Sequence, residues 1–148
     1  MSNHHGFIQE LKARYRIIPL FIDDGFIPFI PEFDTGIDLI IYREVDDILI
    51  KIQLKSRWLI DRKYIGRGLA MAFPGDADGN WYLIPHDEMV RYAETSTSYL
   101  TSSSWLENGV YHRAGMSRDM MEKFRDFKLG ESVLNNRIYT YYKGLRGT

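Results

Sequence analysis

Between Gly6 and Arg16, the residues Phe7, Ile8, Leu11 and Tyr15 recur at the spacing of one helix face, while Gln9, Glu10, Lys12 and Arg14 fall mostly on others. This spacing predicts a short amphipathic first helix, ended by Pro19. Asp23, Asp24 and Gly25 form a turn signal, and the apolar run Phe26 to Phe33 is broken by Pro28 and Pro31. A central strand does not tolerate those prolines, so an irregular edge strand or extended loop is expected there. Two better strands follow. Gly36 to Arg43 contains Ile37, Leu39, Ile40, Ile41 and Tyr42, and Ile48 to Lys55 alternates isoleucines with Leu49, Lys51, Gln53 and Lys55. Glu44 to Asp47 is a connection of hairpin length, so the two strands should pair antiparallel. The period of two then sets Lys51, Gln53 and Lys55 on one face and the isoleucines on the other.

Ser56 to Gly68 reads as a basic connection with room for a short helix around Asp61 to Ile65. Leu69 to Phe73 and Trp81 to Ile84 read as a second hairpin across the turn-rich segment Pro74 to Asn80. Pro85 to Glu88 starts a helix over Met89 to Glu94, with acids at the positive end of its dipole. Thr95 to Ser104 is rich in Ser and Thr and reads as a mobile surface loop. Ser117 opens a final helix over about 117–128, with Met120, Met121, Phe124 and Phe127 inward. In the tail, 135–148, alternation of Ile138, Thr140 and Tyr142 suggests either a strand or a partly ordered terminus.

Composition narrows the class. With 148 residues, 45% hydrophobic and 14% aromatic, the chain has material for one packed domain. It has no cysteine, which excludes disulfides, thiolate zinc sites and thiol nucleophiles. No run of eighteen apolar residues and no leader pattern occurs, so a cytoplasmic protein with no membrane partner is expected. The net charge of -1 does not announce a nucleic-acid binder, but its distribution is uneven. From Phe21 to Ile50 the charged residues are acids apart from Arg43, and from Lys51 to Arg67 they are bases apart from Asp61. A metal site beside a phosphate-binding strip has this layout, as do two solvated surfaces that attract one another.

Asp38 early in one strand, with Gln53 and Lys55 at the end of the next, supplies what a magnesium phosphodiesterase needs. The Asp38 carboxylate, the Gln53 side-chain oxygen and the Leu54 carbonyl are hard ligands for Mg²⁺ or Mn²⁺, and Lys55 can orient the attacking water. His86 and His112 lack a partnering carboxylate at ligand spacing, and Asp76, Asp78 and Asn80 lack the closing Glu of a calcium loop, so these are read as ordinary polar and turn residues. No phosphate loop, nucleophile elbow or dinucleotide fingerprint is present.

The runs Gly36-Ile37-Asp38-Leu39-Ile40-Ile41 and Ile52-Gln53-Leu54-Lys55-Ser56-Arg57 resemble the active-site hairpin of the PD-(D/E)XK nuclease superfamily. The Gln-x-Lys variant is similar to Mrr-type restriction endonucleases. Trp81 to Pro85 with its following helix looks like the later strand of Holliday-junction-resolvase-like members, so the likeness extends over about residues 6–94. It implies a single α/β (α+β) domain, restriction-endonuclease-like, with a central mixed sheet of about five strands flanked by helices. It also implies that Glu10 on the leading helix joins Asp38, Gln53 and Lys55. The expected activity is metal-dependent, structure-selective or partner-directed DNA cleavage, with Arg57, Arg62, Lys63 and Arg67 on phosphates. A homodimer would supply two cuts, and a protein partner would supply target specificity. The alternatives are a catalytically inactive nuclease-fold protein that binds nucleic acid or regulates, and a small α/β domain with no nucleic-acid role. Two departures stand out. Gln53 replaces an acid, so Glu10, Glu32 or Asp34 is expected to complete the site, and Ser56 to Gly68 is short for a crossover helix.

Overall fold

The chain begins with a long helix, α1 (Ser2–Asp23), in a computed structural model that describes residues 2–33, 35–130 and 137–146. Pro19 does not stop α1, contrary to expectation. Proline removes one backbone donor and crowds the preceding turn. The residues around it, Ile17 and Phe21, are fully buried on the inner face, and their burial holds the last turns in place. The apolar segment after the turn is the expected edge strand, β1 (Ile27–Phe29), with Pro28 at the sheet margin.

β2 (Leu39–Arg43) and β3 (Ile48–Leu54) form the antiparallel hairpin that their alternation predicts, in register Leu39 to Ile52 and Ile41 to Ile50. Leu39, Ile41, Ile50 and Ile52 have no exposed surface. β5 (Leu69–Pro74) runs parallel to β3, and β6 (Trp81–Pro85) returns antiparallel to β5, giving a five-strand mixed sheet in the order β1-β2-β3-β5-β6. The turn between β5 and β6 is tied by Asp76, whose carboxylate accepts from the amides of Asp78 and Asn80 at 3.0 Å. α2 (His86–Ser96) follows β6 directly and packs on β5 and β6.

The link between β3 and β5 carries the short helix expected around Asp61 to Ile65, as a single 3-10 turn over Arg62–Tyr64, together with a strand that was not expected, β4 (Trp58–Asp61). β4 pairs antiparallel with β7 (Val110–Arg113), so a second two-stranded sheet is built from distant segments. Residues 95–109 are also more ordered than their composition suggests. They form a 3-10 turn, Tyr99–Thr101, and a π-helical turn, Ser104–Asn108. Here the hydroxyls of Thr97, Ser102 and Ser104 donate to the Ala93, Tyr99 and Val110 carbonyls. Side-chain oxygens thus add to the burial of Trp105 and the packing of Tyr99 and Leu100 in ordering this stretch.

The expected late helix is shorter, α3 (Arg118–Lys123), continued by a 3-10 turn at Arg125–Phe127. Within the tail the described residues form α4 (Arg137–Arg146), neither a strand nor an unformed end. Ile138, Tyr139 and Tyr142 are buried while Thr140 is exposed, which is a helical pattern. α4 packs on β3 and β6, the Tyr139 hydroxyl donates to Asp24 at 2.8 Å, and that of Tyr142 donates to the Gly68 carbonyl at 3.0 Å. Residues 135, 136, 147 and 148 of the tail lie outside the described residues, as does Asp34. Among the described residues no helix is long and apolar enough to cross a membrane.

Candidate functional site

The inner face of α1 carries Glu10, Ala13, Ile17 and Phe21 at helical spacing, so docking the apolar pair Ile17 and Phe21 brings Glu10 inward about two turns before Ile17. Glu10 is half-buried, and its Oε1 accepts from Arg14 Nη2 at 3.1 Å across one helical turn. Asp38 precedes β2 by one residue. Its amide donates to the Ile52 carbonyl at 2.9 Å, so that Asp38 and Leu39 together oppose Ile52 in the manner of a β-bulge. The carboxylate turns back onto β3, where Oδ2 accepts from the Leu54 amide at 2.8 Å. Asp38 therefore brackets Gln53, holding the backbone on both sides of it.

Burial, and then the hydrogen bond it shares with Glu10, push the Asp38 carboxyl up to about 7; the Leu54 amide and Arg14 offset this only in part. A carboxyl raised this way favours the folded state while protonated. Its contribution is complete below the ordinary value of 3.8 and is lost as pH rises through about 7. Asp38→Asn, fixed neutral, is thus expected to be more stable than the wild type at pH 8, with the gap closing toward pH 4. Urea midpoints across that range check this; a gap independent of pH would remove the assigned cause.

Gln53 is buried, sits across from Met71 of β5, and its Oε1 has no hydrogen-bond partner among the described residues. Leaving such an acceptor unsatisfied costs about 1–3 kcal/mol. Lys55 follows β3, its amide donates to the Ala72 carbonyl at 3.0 Å, and its half-exposed side chain forms no ion pair among the described residues. A cleft of about 710 Å³ opens here, lined by Glu10, Ala13, Leu54, Lys55, Pro74 and Trp81 among others. Glu10, Leu54 and Lys55 face this cleft, and Asp38 is bonded to the first two of them.

The donor types suit a hard divalent cation: the carboxyls of Asp38 and Glu10, an orphaned amide oxygen and a strand-end carbonyl. It falls short of a dense acidic site, since no cluster of three His, Cys, Asp or Glu that could hold a metal occurs among the described residues. Glu32 is exposed and bonded to none of these groups. Glu10 is therefore the described acid that completes the pair.

The basic residues downstream are elsewhere. Arg57 is exposed, but Arg62 is engaged: its Nη2 donates to the Trp105 carbonyl at 2.7 Å and its guanidinium lies 5.2 Å from the Trp105 ring centre. Lys63 is 3.6 Å from Asp61, and Arg67 is exposed beside Lys51, which donates to the Arg67 carbonyl. None of these four lines the cleft. His86 is fully buried and accepts from the Asp61 amide through Nε2 at 3.0 Å; burial lowers it to about 4, so it is neutral and its 4.0 Å approach to Asp87 is not an ion pair. Arg14 is the site residue that the hairpin motif does not reveal, although its spacing of four from Glu10 is visible in the sequence.

No protein-family model matches the chain, and no curated protein matches it in sequence. In three dimensions it is similar to a bacterial homing endonuclease, I-Ssp6803I, with a TM-score of 0.52 and 17% identity over 91% of each chain. The likeness is one of fold: a single α+β domain with a five-strand mixed sheet and helices, of nuclease-like architecture.

Proposed function

We propose that this chain is a DNA endonuclease of the PD-(D/E)XK type, in its Gln-x-Lys form close to Mrr-type enzymes, and that Mg²⁺ or Mn²⁺ is its cofactor. The observation that supports this best is the Asp38 carboxylate, held on the Leu54 amide next to Glu10, which lines a cleft together with Leu54 and Lys55. Asp38, Glu10, Gln53 and the Leu54 carbonyl would hold the cation. Bound there, it would polarise the scissile phosphate and acidify a water.

The protein groups divide the remaining work. Asp38, pushed up to about 7, must lose its proton to bind a cation, so the site becomes competent as pH rises through that value. Lys55, free of any ion pair among the described residues, donates hydrogen bonds to the attacking water and offsets charge that develops on the phosphate oxygens. Arg14 holds the Glu10 carboxylate in place. Arg57 and Arg67 are exposed and are offered to phosphates, while Arg62 and Lys63 would first have to leave Trp105 and Asp61.

The described residues form one domain around the five-strand sheet. Structure-selective or partner-directed cutting, a homodimer that makes two cuts and a cytoplasmic setting belong to this reading. A second reading, a nuclease-fold protein that binds nucleic acid without cutting it, draws on the neutral Gln53 and the net charge of -1. Linear, nicked and branched DNA incubated with the protein in Mg²⁺ or Mn²⁺ separates the two. Cleavage is expected on at least one substrate; binding without cleavage under both metals would favour the second.

A further inference from the structure

α1 has a side that neither the core nor the carboxyl pair uses. Gln9, Lys12 and Arg16 are spaced three and four apart, so they rise along one flank of the helix. All three are exposed, and neither Lys12 nor Arg16 forms an ion pair among the described residues. Together with Ala13 and Trp81 they line a shallow depression of about 390 Å³. Gln9, Ala13 and Trp81 also line the cleft of Glu10 and Lys55, so depression and cleft are continuous.

The electrostatics of this surface have one sign. No acid lines the depression, and the acid of the cleft, Glu10, is bonded to Arg14. Two unpaired bases therefore lead toward Lys55, a layout that attracts a polyanion. Four residues of helix span about 6 Å. A nucleic-acid strand presents one phosphate per roughly 3.4 Å of axis, so Lys12 and Arg16 match about two phosphates. Trp81 also lines the depression and offers an apolar ring edge beside the two bases, its indole nitrogen being buried.

We propose that the Gln9–Lys12–Arg16 flank of α1 and Trp81 beside it form a backbone-binding track that delivers a DNA strand to the cleft. This rests on the nuclease reading above and adds the contact surface that orients the substrate. It also shifts the main phosphate contacts from the Arg62–Lys63 turn, where both bases are engaged, to the opposite side of Lys55 in the chain.

The test is fluorescence anisotropy of the full chain with a labelled DNA duplex, without divalent metal, over a range of salt. Lys12→Ala combined with Arg16→Ala is compared with Arg118→Ala combined with Lys123→Ala, two exposed bases of α3 that line neither cavity. The track predicts roughly tenfold weaker binding in the first variant and a salt slope lower by about 2, with the α3 variant unchanged. Equal binding and slope in wild type and the α1 variant would overturn the track and leave the nuclease reading standing. Loss of equal size in the α3 variant, or tighter binding of an RNA duplex than of DNA, would also overturn it. Selective loss in the α1 variant, in a protein that never cleaves, supports the track and counts against the nuclease. Absence of DNA binding by the wild type overturns both.

Discussion

Asp38→Asn and Lys55→Ala are each expected to reduce DNA cleavage by on the order of 10²-fold or more, the scale seen when one group that meets transition-state charge is removed. They should do so for different reasons. Asp38→Asn keeps an oxygen to accept the Leu54 amide at 2.8 Å, so the strand end stays in place. It removes a charged ligand, and the loss should include affinity for Mg²⁺. Lys55 shares no ion pair with the carboxyls among the described residues, so Lys55→Ala should slow turnover with metal affinity little changed. Cleavage rates at saturating metal, beside metal titrations of both variants, read out the division. Undiminished cleavage in either variant would sink the role assigned to that residue.

Trp58→Ala is expected to cost about 3–5 kcal/mol of stability, a large part of what a domain of this size possesses. Trp58 is fully buried on β4, with the rings of Tyr99 and Tyr111 edge-on at 6.0 and 6.4 Å between centres. It joins the small sheet to the main core. Its indole nitrogen has no hydrogen-bond partner among the described residues, so truncation forfeits packing rather than a hydrogen bond there. Trp58→Phe, which keeps most of the ring and removes the orphan donor, should cost much less. Urea unfolding of the three proteins measures both effects. A loss under about 1 kcal/mol in Trp58→Ala would mean that β4 and β7 unfold apart from the rest.

These two experiments probe parts of the molecule that differ in how legible they were. The β2–β3 hairpin is local: alternation, a short turn and isoleucines on one face determine it, and Asp38, Gln53 and Lys55 follow from its register. The Glu10 contact required knowing that Ile17 and Phe21 dock the helix, which spacing suggests but does not prove. β4 was hidden because its partner, Val110–Arg113, lies far along the chain in a region whose order comes in part from hydroxyl-to-carbonyl bonds. Period alone misleads in the tail, where Ile138, Thr140 and Tyr142 alternate. Burial of Tyr139 beside Ile138 identifies a helix. Arg62 looked like a phosphate ligand because its neighbours in sequence are basic. Its engagement with Trp105 depends on a π-helical turn that no local pattern announces. Pro19 shows the converse, a strong local stop overridden by tertiary burial.

Glu10, Asp38, Gln53 and the Leu54 carbonyl are the proposed ligands of one cation site. The most direct test of this assignment is an anomalous difference map from crystals of the wild-type protein soaked in Mn²⁺ at pH 8, above the Asp38 midpoint of about 7. A peak ligated by the Asp38 carboxylate and Gln53 Oε1 is expected, with the Glu10–Asp38 hydrogen bond broken. A map with no peak there, while Asp38 and Glu10 still share their hydrogen bond, would contradict the assignment.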